Sequence, residues 1–311
     1  MLMYIIKRIF IAAATVLLIA CTTFIMMNAI PGGPFMAEKA PSQSVLDALN
    51  AKYGLDKPVP VQLVNYLKAA VKGDFGVSLR MQKNRPIADI IKDMFPISAK
   101  IGLLSVLVAV LLGIPIGCIA AYNQGKFLDN LLRIITTLGI AVPGFVLAAL
   151  LQYWLCVKLA WFPCIGLSSW KSYILPVFTL SFYPMCYIGR LTRSSMLDVT
   201  KQDYIRTAIA KGVSPVSLIF KHTLRNELLP ILTYLGPLTA GTLMGGFVVE
   251  SVFSIPGLGR YFIQSILNRD YPLIMATTIC LSALVVIMNL AVDLVYKLVD
   301  PRINLGREVK N

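Results

Sequence analysis

Charged side chains are scarce in this chain. Of its 311 residues, 14% are Asp, Glu, Lys or Arg, about half the ~25% usual in soluble domains. Such a shortage argues against a freely soluble domain. Histidine is scarcer still: His222 stands alone, which excludes a His-rich metal centre and leaves one solvated ring in a basic segment. Cysteine offers little more. Cys21, Cys118, Cys156, Cys186 and Cys280 fall in apolar runs and Cys164 lies outside them, at no spacing that makes a metal site or a disulfide framework. No G-x-x-x-x-G-K-[ST] phosphate loop occurs, which argues against a P-loop nucleotide site in this chain. The apolar runs hold no histidine, no clustered carboxylates and no nucleophile–base pair, which argues against a membrane-embedded enzyme. The chain is expected to bind no cofactor or metal of its own.

Long apolar runs are plentiful. Six stretches lack any charge: Ile9–Ala37, Ile101–Gly125, Ile134–Val157, Ser172–Gly189, Leu228–Val249 and Tyr271–Val292. A helix needs ~20 apolar residues to cross a hydrocarbon core of ~30 Å, and lipid offers backbone groups no partners, so the spans must be helical. The reading is an all-α membrane protein with six transmembrane helices. Ser172–Gly189 is the shortest run and contains Pro176 and Pro184; its alternative reading is a buried or re-entrant segment.

Net charge is +14, which in a soluble protein suggests nucleic acid. The distribution argues for topology instead. With the N-terminus inside, the inner face holds Lys7 and Arg8, Lys126 and Arg133, the basic residues from Arg190 to Arg225, and Lys297, Arg302, Arg307 and Lys310. The two short outer loops hold only Lys158, Lys171, Arg260 and Arg269. This bias places both termini in the cytoplasm, and no nucleic-acid partner is expected. Leu18 to Cys21 resembles a lipidation cleavage site, but the apolar run continues through Met27, so it reads as a retained first span.

The expected organisation follows. Residues 1–30 form the first span and 31–95 an extracytoplasmic insertion of mixed charge, opened by the stop Pro31-Gly32-Gly33-Pro34. Residues 96–300 form a five-helix core with a cytoplasmic hairpin at about 201–228, and 301–311 a cytoplasmic tail. Within the insertion, Ser44–Leu49 reads as a short helix and Val61–Val71 as a second, with Leu63, Tyr66, Leu67 and Ala70 on one face. Trp154, Trp161, Trp170, Tyr173 and Tyr187 lie near span ends as interfacial aromatics do. Pro115, Pro143, Pro176 and Pro184 imply kinks or hinges. Two acids border the spans: Glu250 at the outer boundary, and Asp293 about one turn from the inner one with Lys297 at i+4. Both read as structural or gating residues.

The polar stretch Asp203–Pro230 has a pattern of its own. Ile205, Ile209, Val213, Val216 and Phe220 recur every three or four residues, the mark of an amphipathic helix. Gly212 interrupts it, and Ser214-Pro215 follows as a cap with proline at the first helical position. The local reading is helix, glycine turn, helix. Adsorption to anionic lipid is the rival reading, but two tight breaks fix a shape that adsorption does not need.

Here the sequence resembles the membrane subunits of binding-protein-dependent ABC importers, whose cytoplasmic loop carries an E-A-A, three residues, then Gly signature. Gly212 is that glycine, and the three positions fall on Arg206, Thr207 and Ala208, of which only Ala208 keeps the general consensus. The peptide-importer branch typically reads R-T-A-x-A-K-G, as Arg206 to Gly212 does. The segments Ala29–Phe35, Ala51–Leu55, Gly73–Gly76, Glu250–Gly259, Asn268–Tyr271 and Asp300–Arg302 also look like that branch, and the whole chain is similar to its oligopeptide B-type permease subunits. Dipeptide and nickel importers have similar subunits.

The resemblance implies a type I ABC importer permease fold in a prokaryotic inner membrane. It also implies a homologous second permease, two cytoplasmic ATPases that bind ATP and Mg, and an extracytoplasmic peptide-binding protein, around a chain that is not itself an enzyme. Arg206, Thr207, Ala208, Lys211, Gly212, Val213, Ser214 and Pro215 would be the ATPase-coupling residues. The rival from another class is an ion-coupled secondary transporter, which typically places acids or polar breaks near mid-membrane; here the acids stay near the boundaries.

Overall fold

The computed structural model describes residues 2–29, 54, 56–200, 202–213, 224–243 and 246–299. The helix expected at Ser44–Leu49, the stop at 31–34 and the tail 301–311 lie outside the described residues. Among those described, five helices are long and apolar enough to cross a membrane, and one bent pair makes a sixth if taken as a single span. The chain divides into two compact units, Met1–Ile97 with Gly257–Val286, and Ser98–Pro256 with Ile287–Asn311. A late segment thus groups with the N-terminal one.

The first unit holds α1 (Leu2–Ala29), α2 (Val59–Val71), the start of α3 (Ile87–Tyr122), α10 (Leu258–Leu267) and most of α11 (Tyr271–Val299). In α1, Thr15 and Thr22 donate to the carbonyls of Ile11 and Leu18 at 2.8 Å, which satisfies hydroxyls that lipid would leave bare. The apolar face of α2 packs as its periodicity requires. Leu63, Tyr66 and Leu67 lie against Ala20, Phe24 and Met27 of α1 and Ile274 and Met275 of α11. A second cluster joins Ile87 and Ile90 to Leu273 and Ala276.

The second unit is built around α6 (Lys171–Thr200). More than half of its apolar window (56%) is buried, against 11% for α1. The shortest charge-free run therefore belongs to the most enclosed of these helices, and it continues unbroken through Pro176 and Pro184. Its expected end near Gly189 is overtaken. The helix runs on through Arg190 and Arg193 because, at 1.5 Å per residue, 30 residues extend ~45 Å and carry the basic end past the hydrocarbon. Around it lie α3, α4 (Phe127–Ala141), α5 (Gly144–Leu151), α8 (Leu224–Leu243) and α9 (Phe247–Val252), with the short α7 (Asp203–Ala210) following its end. One core cluster combines Ala109, Met185, Cys186, Ile188 and Ile231.

Two expectations are corrected here. The run Ile134–Val157 is not one straight span. It breaks after α4 and restarts at α5, which continues as a π-helical segment Gln152–Lys158, with a bend of 101°. Val142 is extended at φ −77°, ψ 121°, the conformation a following proline imposes, and Pro143 then opens α5. The short outer loop expected to hold Arg260 and Arg269 is likewise not a simple loop, since it contains α10.

Close approach explains one glycine pair. A Cβ on Gly117 would stand 2.5 Å from the carbonyl oxygen of Gly189 and from Cβ of Thr192, and one on Gly113 would stand 2.8 Å from the carbonyl oxygen of Met185. The G-x-x-x-G spacing on α3 lets its backbone meet that of α6, as small residues do between membrane helices.

Candidate functional site

The coupling segment begins where α6 ends. The amide of Gln202 donates to Val199 O at 3.0 Å and that of Ile205 to Gln202 O at 3.1 Å, a turn that closes α6 and starts α7. Asp203 in the first turn of α7 complements the helix dipole, and the Thr207 hydroxyl donates to Asp203 O at 2.9 Å. Ile205 is fully buried and holds one face of α7 down, while Thr207, Ala210, Lys211 and Gly212 are exposed. The amide of Lys211 donates to Thr207 O at 3.1 Å. Gly212 then takes φ +74°, a left-handed value that glycine adopts without strain. Nothing lies within 4 Å of where its Cβ would be. Among the described residues, the demand on that position is therefore conformational.

Arg206 and Ala208 lie within α7, and Val213, half-buried, follows the turn. Ser214 and Pro215 lie outside the described residues, as do Val216 and Phe220. The structure thus brings Arg206 through Val213 into one helix and turn. Glu250 is elsewhere, buried in α9, where it accepts a hydrogen bond from Ser98 Oγ at 2.6 Å. Asp293 sits in α11.

Two further carboxylates do more than the sequence reading assigned them. Asp129, at the start of α4, is fully buried and accepts from Arg193 of α6 through Nε at 2.6 Å and an NH2 group at 2.8 Å, and from the Gly125 amide at 2.9 Å. This forked pair, with geometry typical of strong guanidinium–carboxylate contacts, clamps the inner end of α4 to α6. Its signal was present in the sequence: Asp129 is the only acid between Asp93 and Asp198. The second is Asp270, also fully buried, which accepts from Ser78 Oγ at 2.5 Å and from the amides of Leu79, Arg80 and Met81 at 3.1 Å each. Arg269 before it takes φ +56° and closes α10 through Asp270 N to Ser265 O at 2.8 Å, the hydrogen-bonded stop usually given to glycine.

The aromatics separate into two groups. Trp154, Trp161 and Trp170 are exposed. Tyr187, expected at a span end, instead lies within α6, its ring 4.3 Å from that of Tyr234 and 6.3 Å from that of Tyr183. Among the described residues no group of three or more His, Cys, Asp or Glu side chains is placed to hold a metal ion.

Comparison with known proteins covers nearly the whole chain. The family model described as binding-protein-dependent transport system inner membrane component matches residues 113–305, and that for the N-terminal region of such membrane components matches residues 1–102. The dipeptide transport system permease protein DppB of Bacillus subtilis (strain 168) is 45% identical over 305 residues, covering 98% of this chain and 99% of the relative. The oligopeptide transport system permease protein OppB of Haemophilus influenzae is 39% identical, with coverage of 97% and 99%. Among solved structures, a chain of the MetNI methionine ABC transporter in an inward-facing conformation superposes with a TM-score of 0.58 at 17% identity, covering 68% of this chain and 96% of that one. That likeness establishes a shared fold, the type I ABC importer permease fold.

Proposed function

We propose, for a chain that belongs to the family of binding-protein-dependent transport system inner membrane components, that its cargo is a short peptide. The observation that carries this reading is likeness over the full length, insertion included, to permeases named for dipeptides and oligopeptides at 37–45% identity. A dipeptide or an oligopeptide fits this reading equally. In it, the chain is half of a pathway completed by a homologous permease. An extracytoplasmic binding protein delivers the peptide, and two cytoplasmic ATPases bind ATP and Mg.

The coupling element is the segment Arg206, Thr207, Ala208, Lys211, Gly212, Val213, Ser214 and Pro215. A short helix held down by Ile205, with exposed Thr207, Ala210 and Lys211 ending in a left-handed turn at Gly212, supports docking into a partner: it offers a fixed shape and an exposed strip. ATP-driven approach of the ATPases would move these segments, and the helical units would exchange inward- and outward-facing arrangements. An energy difference of a few kcal/mol suffices to shift such a population.

The test is uptake into vesicles holding the reconstituted complex, with di- and oligopeptides supplied through the binding protein. Uptake should require ATP, and transport driven by an ion gradient alone would overturn the reading in favour of a secondary transporter. Gly212→Trp should abolish uptake and uncouple ATP hydrolysis while membrane insertion stays normal. Gly212→Ala, which meets no neighbour among the described residues, should lose only about 1 kcal/mol through its positive φ and retain most uptake. Equal behaviour of the two variants would remove the docking role.

A further inference from the structure

In the second unit, a cavity of about 310 Å³ lies between α3, α4 and α6. Its wall carries Arg133, Arg190 and Arg193 with Thr136, Thr137 and Ser194, and Ile116 and Ala120 of α3 line the other side. The three guanidiniums are not equivalent. Arg193 is already held by Asp129 through two bonds, so it is a fixed part of the wall. Arg133 and Arg190 have no ion pair among the described residues. Three cations therefore face one cavity with a single carboxylate behind them, and the space keeps an excess of two positive charges.

Position identifies what would neutralise it. Arg133 lies seven residues from Lys126 at the start of α4, and Arg190 ten residues before the end of α6. At 1.5 Å per residue these are ~10 and ~15 Å along the helices. Both ends are cytoplasmic by the charge bias. Counted from Lys171 at the outer end of α6, Arg190 lies 19 residues or ~29 Å along the helix, about the ~30 Å of a hydrocarbon core, so the cavity lies at the level of the inner headgroups. That leaflet carries anionic lipid, and basic pockets between membrane helices on this side suit phosphate headgroups. Guanidinium groups bind phosphate oxygens in a planar, bidentate fashion, and Thr137 and Ser194 add hydroxyl donors. A choline head would bring its own cation against the arginines.

We propose that this cavity binds a phosphate-bearing anion, an anionic phospholipid headgroup or a free phosphate, with Arg133 and Arg190 as the ligating residues and Arg193 as the rigid floor. Occupancy would tie α4 to α6 beside the Asp129–Arg193 clamp. The proposal does not depend on the identity of the cargo.

The test uses the full-length protein with its partner subunits in phosphatidylcholine nanodiscs containing phosphatidylglycerol, with retained lipid read by native mass spectrometry. The parent protein should retain phosphatidylglycerol preferentially. Arg133→Gln with Arg190→Gln should reduce that retention about tenfold, the loss of charge-assisted bonds. Arg133→Lys with Arg190→Lys should restore much of it, which separates lost binding from lost folding. The charge-matched Lys7→Gln with Arg8→Gln should leave it unchanged. A second arm measures radiolabelled inorganic phosphate by equilibrium dialysis in phosphatidylcholine alone. Phosphate binding that disappears in the Gln pair, without a phosphatidylglycerol preference, assigns the site to the free anion. Equal retention of both lipids with no phosphate binding overturns the proposal, as does an equal loss in the Lys7/Arg8 pair.

Discussion

The helix α6 and the α4–α5 pair both contain proline, yet one continues as a single helix through both of its prolines and the other breaks and turns by 101°. In α6 the residues around Pro176 and Pro184 are enclosed. Hydroxyls of Thr179 and Ser181 donate to the carbonyls of Leu175 and Phe178 at 2.7 and 2.9 Å, and Ser105 of α3 donates to Val177 O at 3.2 Å. These bonds tie the turns beside both prolines to local hydroxyls and to α3, within a helix that continues past each of them. Around Pro143 no such enclosure exists: Leu138 and Phe145 are more than half exposed, and Val142 takes the extended conformation that ends a helix. Proline decides the path of a membrane helix only where packing does not decide first.

That comparison can be broken at its strongest point by attacking the packing. Gly117→Leu should be the most damaging change, since a Cβ there meets backbone at 2.5 Å. A loss of at least about 4 kcal/mol is expected, the range reserved for disrupted cores, seen as failure to recover monodisperse protein from detergent. Gly144→Ala at the start of α5, with nothing within 4 Å, is the matched control and should be nearly silent. Recovery of Gly117→Leu at parent levels would mean that α3 does not enclose α6.

Next in size is the clamp. Asp129→Ala leaves Arg193 without its carboxylate, and a buried pair broken on one side costs about 3 kcal/mol. Thermal unfolding in detergent should fall accordingly, and Asp129→Ala with Arg193→Ala should recover part of the loss. Strict additivity of the two single changes would show that the pair does not join α4 to α6.

The smallest effects sharpen the distinction directly. Pro184→Ala and Pro143→Ala should each change stability by about 1 kcal/mol or less, the scale of one hydrogen bond. Their effects on shape should differ. Spin labels at the exposed positions Leu131 and Val157, with native thiols replaced, should move apart in Pro143→Ala as the bend relaxes. Labels on α6 should keep their distance in Pro184→Ala. An unchanged Leu131–Val157 distance would assign the bend to packing and erase the contrast.

Much of this architecture was legible in the sequence. Five charge-free runs marked the five described helices long and apolar enough to cross a membrane, the sixth marked a bent pair, and the face Leu63, Tyr66 and Leu67 packed as its spacing required. The glycine turn at Gly212 was visible because few residues tolerate its backbone. What stayed hidden depended on neighbours. Pro143 and Pro184 look alike in a string of apolar residues, and only the surrounding helices separate a bend from a continuation. Arg193 was read as one more inner-face cation, since nothing local reveals that Asp129, 64 positions earlier, faces it. Asp270 looked like part of a connection because its donors come from a loop far back in the chain. Of the coupling segment, local pattern revealed α7 and its turn, whereas the burial of Ile205 needed the fold.

The Ser78–Asp270 hydrogen bond joins residues 192 positions apart, and this has a consequence for biosynthesis. Ribosomes deliver the chain from its N-terminus, so the strip from Ser78 to Met81 is translocated long before its acceptor has been made. Four donors wait on the far side of the bilayer while all the intervening segments are threaded. The exterior layer is thus sealed last, and a nascent chain arrested before position 270 should present that strip to any protease outside.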